Sequence, residues 1–261
     1  MVAALLCAIF AIHTASVGPD AARQFSWGYL PAPIVPKDNP MTPAKAALGQ
    51  RLFLDTRLSV TGTYSCATCH QPDRHFTDGL PRAIGALGDS LPLNTPTLYF
   101  SAFNASLGWL EGAPATLEEQ HHIPLFNTRP VELGFSDAQL AVLAADHTYQ
   151  EAFAAAFGDN AINTDNLVKA LATHVRSLQP PSTAFDRYMF EDDASGMSAD
   201  AKAGMDLFLS ARLGCSLCHA SLALSGPVSH SVQRAEPVFH VMGVGGSDAA
   251  FRAPTLRYVQ H

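Results

Sequence analysis

The residues with the sharpest chemical signature are two short runs, Cys66-Ala67-Thr68-Cys69-His70 and Cys215-Ser216-Leu217-Cys218-His219. Two thiols three positions apart, followed directly by histidine, form the pattern for covalent c-type haem attachment. Each thiol bonds one vinyl group of the porphyrin, and the histidine reaches the iron as its proximal axial ligand. A zinc reading would use both C-x-x-C pairs to close one tetrahedral site, yet the pairs lie far apart and each carries its own histidine. A thioredoxin-like dithiol would leave both histidines unexplained. The fifth cysteine, Cys7, sits inside an apolar run and reads as a small hydrophobe rather than a lipid-attachment site.

The elements that must position these motifs read as helices. Thr42-Pro43 supplies an N-cap and a first-turn proline for a helix over residues 44–54, and further helices are expected over 136–157, 164–178 and 198–209. The third of these repeats Leu167, Ala170, Leu171, His174, Val175 and Leu178 on one face, the spacing of an amphipathic helix. No strand alternation competes. Gly49-Gln50-Arg51-Leu52-Phe53-Leu54-Asp55-Thr56-Arg57-Leu58 is echoed by Gly204-Met205-Asp206-Leu207-Phe208-Leu209-Ser210-Ala211-Arg212-Leu213, and each copy runs into a haem motif. The expected fold is therefore all-α, with two cytochrome c-like haem domains packed around a shared interface. Residues 41–180 form the first and 181–261 the second, divided at Pro180-Pro181-Ser182.

The chain has 261 residues, 48% hydrophobic and 15% charged, with a net charge of −7. That is a globular composition, and its acidic balance with only 16 Lys and Arg excludes a general nucleic-acid or anionic-membrane binder. Residues 2–11 are apolar and are followed by small residues, so 1–18 reads as a signal peptide whose basic start is missing; the apolar run is too short to span a membrane. Residues 19–40 form an extended proline-rich lead-in. Covalent haem attachment implies maturation outside the cytoplasm, which together with the leader gives a periplasmic location.

With these motifs in place, the chain resembles the bacterial di-haem cytochrome c peroxidases and the related MauG and MbnH enzymes. The resemblance is carried by the 48–55 run and by Phe76-Thr77-Asp78-Gly79, Asn94-Thr95-Pro96-Thr97-Leu98, Leu117-Glu118-Glu119-Gln120, Pro130-Val131-Glu132-Leu133-Gly134 and Phe251-Arg252-Ala253-Pro254-Thr255-Leu256-Arg257. The lead-in and the Pro-Val-Glu-Leu-Gly phrase look most like the MbnH branch. The resemblance implies a peroxide-reactive haem at His70 and an electron-storing haem at His219. It matches Trp109 to a tryptophan between the haems, Gln120 and Glu132 to the polar groups of the open haem face, and Asn94 to a calcium ligand. Taken alone, Trp109 reads as a core aromatic, Gln120 and Glu132 as surface groups, and Asn94-Thr95-Pro96 as a turn. Arg252 and Arg257 are candidates for haem propionates, with surface salt bridges as the alternative.

The chain departs from the family pattern in three places. The run after Trp109 is one residue longer, two residues are inserted before Pro130, and the chain stops at His261, where the family continues into a segment with further calcium contacts and the sixth ligand of the second haem. The sequence therefore reads as truncated, or as ligating its second haem differently, with His240, Met242 and Tyr258 as conceivable substitutes. No His or Met lies between His75 and His121, so the first haem has no evident sixth ligand behind its motif; His75 is the nearest alternative. His121 and His122 either approach the open haem or face solvent. The implied function is an exported di-haem enzyme that reacts with hydrogen peroxide and oxidises tryptophan on a partner protein. The alternatives are peroxide reduction with electrons from a small redox protein, and a non-catalytic electron carrier.

Overall fold

The computed structural model describes residues 30–159, 161–243 and 248–259. The leader, Cys7 and the first half of the lead-in lie outside the described residues. Eight helices are described in chain order: α1 Pro43–Leu54, α2 Cys66–Cys69, α3 Leu117–Phe126, α4 Asp137–Ala144, α5 His147–Phe157, α6 Thr164–Ser177, α7 Ala184–Phe190 and α8 Ala199–Leu209. Helix starts follow local chemistry. Thr42 accepts the Lys45 amide at 3.2 Å, with Pro43 in the first turn, and Asn163 and Ser198 cap α6 and α8 in the same way.

The α1–α6 crossing organises the first haem region. A Cβ on Gly49 would sit 2.0 Å from the Ala170 carbonyl oxygen, so the two backbones touch where only glycine fits. Around this crossing Leu48, Leu52, Phe53, Leu167 and Leu171 form one apolar core with Tyr149 and Phe153 of α5. Asn39 is fully buried at its edge. Its amide donates to Glu118 Oε1 at 2.7 Å and to the Lys169 carbonyl at 3.0 Å, tying the lead-in to α3 and α6.

The structure differs from the sequence expectation at several elements. The single helix expected over 136–157 is two, because Asp146 caps a new start by accepting the Thr148 amide at 2.9 Å. Helix α3 was not expected: its two histidines and internal Pro124 obscure the periodicity, but Thr116 caps it and the chain after Pro130 packs on its end, with Leu133 N donating to Pro124 O at 3.0 Å. Helix α7, started by the Thr183–Asp186 capping box, was also not expected. The fold is helix-rich rather than all-α. An antiparallel pair, β1 Phe239–Val241 and β2 Ala250–Arg252, is too short to show as alternation. So small a ribbon is marginal alone; here β2 also pairs through Phe251 with Leu110, and Arg252 N donates to Trp109 O at 2.8 Å. Among the described residues no helix is long and apolar enough to cross a membrane.

Candidate haem sites

Both motifs mount their histidine in the same way. In the first, Ser65 and Thr68 form a capping box around the single turn α2, which sets Cys66 and Cys69 on one short helix and passes His70 out at its end, His70 N donating to Cys66 O at 2.8 Å. His70 Nδ1 lies 3.0 Å from the Phe76 carbonyl. A carbonyl can only accept, so Nδ1 carries the proton and Nε2 keeps its lone pair for a metal. Burial lowers the His70 pKa and keeps the ring neutral. In the second motif Gly214, at φ 68°, leads into the turn Cys215–Leu217. His219 N donates to Cys215 O at 3.0 Å, and His219 Nδ1 donates to the Leu224 carbonyl at 3.1 Å.

The two carbonyls that fix these tautomers come from strained residues that are not glycine. Phe76 has φ 63° and Leu224 φ 50°. A side chain held there costs about 1–3 kcal/mol, which the surrounding contacts must offset. The Phe76 loop is held from behind. Asp78, buried, accepts from Thr95 Oγ1 at 2.8 Å, and Thr77 Oγ1 donates to Thr95 O at 2.9 Å, which joins the Phe-Thr-Asp-Gly and Asn-Thr-Pro stretches.

The four motif cysteines form no disulfide and are half-buried. Burial pushes the Cys66 thiol up to about 12; burial, with the charges of Asp78 and Glu132 nearby, pushes Cys69 to about 11. Such thiols are poor redox or thiolate centres. Among the described residues no three His, Cys, Asp or Glu side chains converge as a metal site. A cavity of about 730 Å³ opens beside His219, walled by Phe185, Met205, Phe208, Leu222, Leu224 and Leu256. It is a large apolar chamber of the kind a flat macrocycle needs, so the second motif and its surroundings fit a covalently held haem. The first motif fits one by the same proximal geometry.

On the side of α3, His121 turns inward and His122 outward. His121 Nδ1 donates to Leu117 O at 2.6 Å, and burial pushes its imidazole down to about 4, with Glu118, Arg176 and His70 within electrostatic reach. His122 is exposed and stacks on Phe126 at 5.5 Å. Gln120 Oε1 is buried without a hydrogen-bond partner. Glu132 has its pKa raised by burial, against the pull of a hydrogen bond from Asn127, and its charge reaches Cys69. Gly85 allows this approach, since a Cβ there would lie 1.9 Å from the Val131 carbonyl oxygen.

Trp109 is half-buried and donates from Nε1 to the Asn94 carbonyl at 3.1 Å, so the structure brings these two sequence candidates together. The Asn94 side chain itself is exposed. A single exposed amide does not make a calcium site, which takes six to eight oxygens. Arg252 spends its guanidinium on the carbonyls of Gly108 at 3.3 Å and Ala253 at 3.2 Å. Arg257 is buried, ion-paired with the fully buried Asp186, and donates to Leu222 O at 2.9 Å. Sequence reasoning missed Asp186 because its visible signal, the capping box, is local, whereas its partner lies 71 positions away. His75 stacks on Tyr258 at 4.6 Å.

Two thiols on one turn, a neutral histidine with its tautomer set, and a helix crossing that requires glycine define a c-type cytochrome with two attachment sites. The family pattern for di-haem cytochrome c peroxidase matches residues 43–194, and the chain belongs to that family. It is 36% identical over 230 residues to the methylamine utilization protein MauG of Methylorubrum extorquens, covering 85% of this chain and 64% of that one. It is 29% identical over 250 residues to the cytochrome c551 peroxidase of Nitrosomonas europaea, covering 89% and 73%. A solved structure described as a MauG-like protein associated with microbial copper homeostasis superposes with a TM-score of 0.83 at 34% identity, covering 89% of this chain and 74% of that one. The chain spans about three fifths of the length of the MauG proteins it matches. Membership of a di-haem family implies two haem c groups.

Proposed function

We propose that the protein is a periplasmic di-haem peroxidase of the MauG type, which reacts with hydrogen peroxide at the His70 site and oxidises tryptophan on a partner protein. Bound haem would supply the redox chemistry, and this chain's residues supply protons, position and exclusion of water. The observation that carries the reading is a half-buried carboxyl, Glu132, within electrostatic reach of Cys69 in the first motif. Burial raises the pKa of this carboxyl, and a carboxyl on that side can move a proton between peroxide oxygens, as peroxide cleavage requires. Gln120 supports the same reading, because its orphaned amide oxygen is an acceptor waiting for a small polar molecule. Trp109, an oxidisable indole tied to Asn94 and to β2, joins the two halves of the chain and is the residue through which oxidising equivalents would pass.

Glu132→Gln should slow the reaction with peroxide by about 100-fold or more while leaving haem content and ferric spectra unchanged; an unaltered rate would remove Glu132 from the mechanism. Trp109→Phe should slow oxidation of the partner with peroxide binding intact. The similarity to the Nitrosomonas peroxidase favours a second reading, peroxide reduction with electrons from a small redox protein. Steady peroxide consumption with a reduced cytochrome or cupredoxin would select it. The calcium expected at Asn94 has no support beyond that residue, and chelation that leaves the haem spectra unchanged would remove it.

A further inference from the structure

The carbonyls that hold His70 and His219 are joined by one packed path that does not run through Trp109. Each loop is clasped by a Pro-Thr-Leu stretch. In Pro96-Thr97-Leu98-Tyr99-Phe100, Thr97 Oγ1 donates to His75 O at 2.5 Å; in Pro254-Thr255-Leu256-Arg257-Tyr258, Thr255 Oγ1 donates to Ala223 O and Leu256 N donates to Leu224 O at 3.3 Å. Both clasps end in an aromatic residue with a left-handed backbone, Phe100 at φ 65° and Tyr258 at φ 64°. The Tyr99 and Tyr258 rings meet at 5.2 Å between centroids, and His75 stacks on Tyr258 at 4.6 Å. Tyr99 then meets Phe76 edge-on at 5.1 Å, and the Phe76 carbonyl holds His70. On the other side Tyr258 is 8% exposed and packs with Ala223 and Leu222, next to the Leu224 carbonyl that holds His219.

Ring contacts of this size are ordinary packing distances, and packing alone would be served by phenylalanine at both places. A phenol adds a group that can give up one electron and one proton. Tyr258 is also held in a backbone conformation that bulky residues avoid, with its hydroxyl donating to the Pro181 carbonyl, so its place between the two loops is fixed. We propose that Tyr99 and Tyr258 form a second one-electron relay between the two haem sites, on the histidine side of each, which takes up the oxidising equivalents of hydrogen peroxide when no partner protein is docked. The proposal rests on the peroxide reading of the first motif. For each molecule of peroxide the O–O bond breaks, each of the two phenols gives up one electron and its hydroxyl proton, and both protons end on the peroxide oxygens. The products are two waters and two phenoxyl radicals. Tyr99, half-buried, keeps its proton at rest because burial raises its pKa, so electron and proton leave it together.

The test uses the full chain, produced in a host that attaches c-type haem, mixed with hydrogen peroxide in the absence of partner protein and reduced donor, then freeze-quenched and read by electron paramagnetic resonance. The wild type should give an organic radical signal that narrows when the protein carries ring-deuterated tyrosine. Tyr99→Phe and Tyr258→Phe, which keep each ring and remove its hydroxyl, should each take away part of that signal, and the double variant should take away all of it. Trp109→Phe should leave it in place. A signal that the double variant leaves untouched would overturn the proposal, and a signal lost in Trp109→Phe would put the tyrosines behind the indole and overturn it as well. Spin trapping of the wild type, with the adduct mapped by mass spectrometry, should mark Tyr99 even where a variant fails to hold haem; adducts confined to other residues would overturn the proposal. Haem that reacts with peroxide without any tyrosyl signal would overturn this relay alone, whereas haem whose optical spectrum peroxide does not change would overturn the peroxide reading of the first motif and the relay with it.

Discussion

The helices that precede the two haem motifs share the pattern Gly-x-x-Leu-Phe-Leu and are differently buried. In α1, Gly49 touches the backbone of α6, and Leu52 and Phe53 are 0% and 3% exposed. In α8, a Cβ on the corresponding Gly204 would meet nothing within 4 Å, and Leu207, which echoes Leu52, is 46% exposed. Part of the α8 face instead lines the cavity beside His219. The pattern Gly-x-x-Leu-Phe thus specifies a helix with an apolar face in both places. Burial is a property of the pair of elements, and among the described residues only α1 has its crossing partner.

The comparison can be broken most directly at the strongest tie of the second region. Arg257→Ala would leave Asp186 buried without its ion-pair partner, with only hydrogen bonds such as those from Thr183 remaining, and should lower stability by about 3–5 kcal/mol, measured by denaturant unfolding. A loss under about 1 kcal/mol would mean that the carboxylate is not held as a buried pair. Next, Leu52→Ala should cost about 2–5 kcal/mol, against about 0.5 kcal/mol or less for Leu207→Ala. Equal losses would show that α8 is covered in solution. The glycines should separate by what each meets. Gly49→Ala must push α1 from α6 and lose about 1–3 kcal/mol, whereas Gly204→Ala, which meets no protein atom within 4 Å but lines the cavity beside His219, should leave the packing between helices unchanged.

The smallest effect is in pH. Burial pushes both His121 and His174 down to about 4 from an ordinary 6.5; at His121 the Leu117 carbonyl and Glu118 oppose the shift while Arg176 and His70 add to it, and at His174 the neighbouring His121 adds to it. The unfolded chain therefore binds more protons than the folded one between these values, so stability contributed by the neutral rings is complete above pH 6.5 and is lost as pH falls toward 4. A loss of about 1–2 kcal/mol over that window is expected after discounting for the partial exposure of His121. Replacing His121 by Gln should flatten the curve, and an unchanged slope would show that the ring already titrates normally.

Much of this was legible in the sequence where the cause is local. Thr42-Pro43, Asn163 and Ser198 start helices because a side-chain oxygen satisfies an amide two or three residues on, and both haem motifs are complete within five residues. The break at Asp146 was written in the same code but hidden inside a continuous apolar rhythm. The strained carbonyls of Phe76 and Leu224 left no signal, since bulky residues do not advertise a left-handed backbone. Histidine 121 could not be told from His122 by sequence, because one faces α6 and the other solvent only after α3 is docked.

What the sequence determined by itself is therefore the pattern that fits within one turn: two Cys-x-x-Cys-His motifs and the helices that lead into them. Tertiary structure alone decided which glycine meets a backbone, that Arg257 pairs with Asp186, that Trp109 binds Asn94, and that Tyr99 meets Tyr258. The physical reason is range. Caps and attachment motifs act over one to five residues, whereas burial and ion pairing join residues dozens of positions apart, and their partners exist only once the chain has packed.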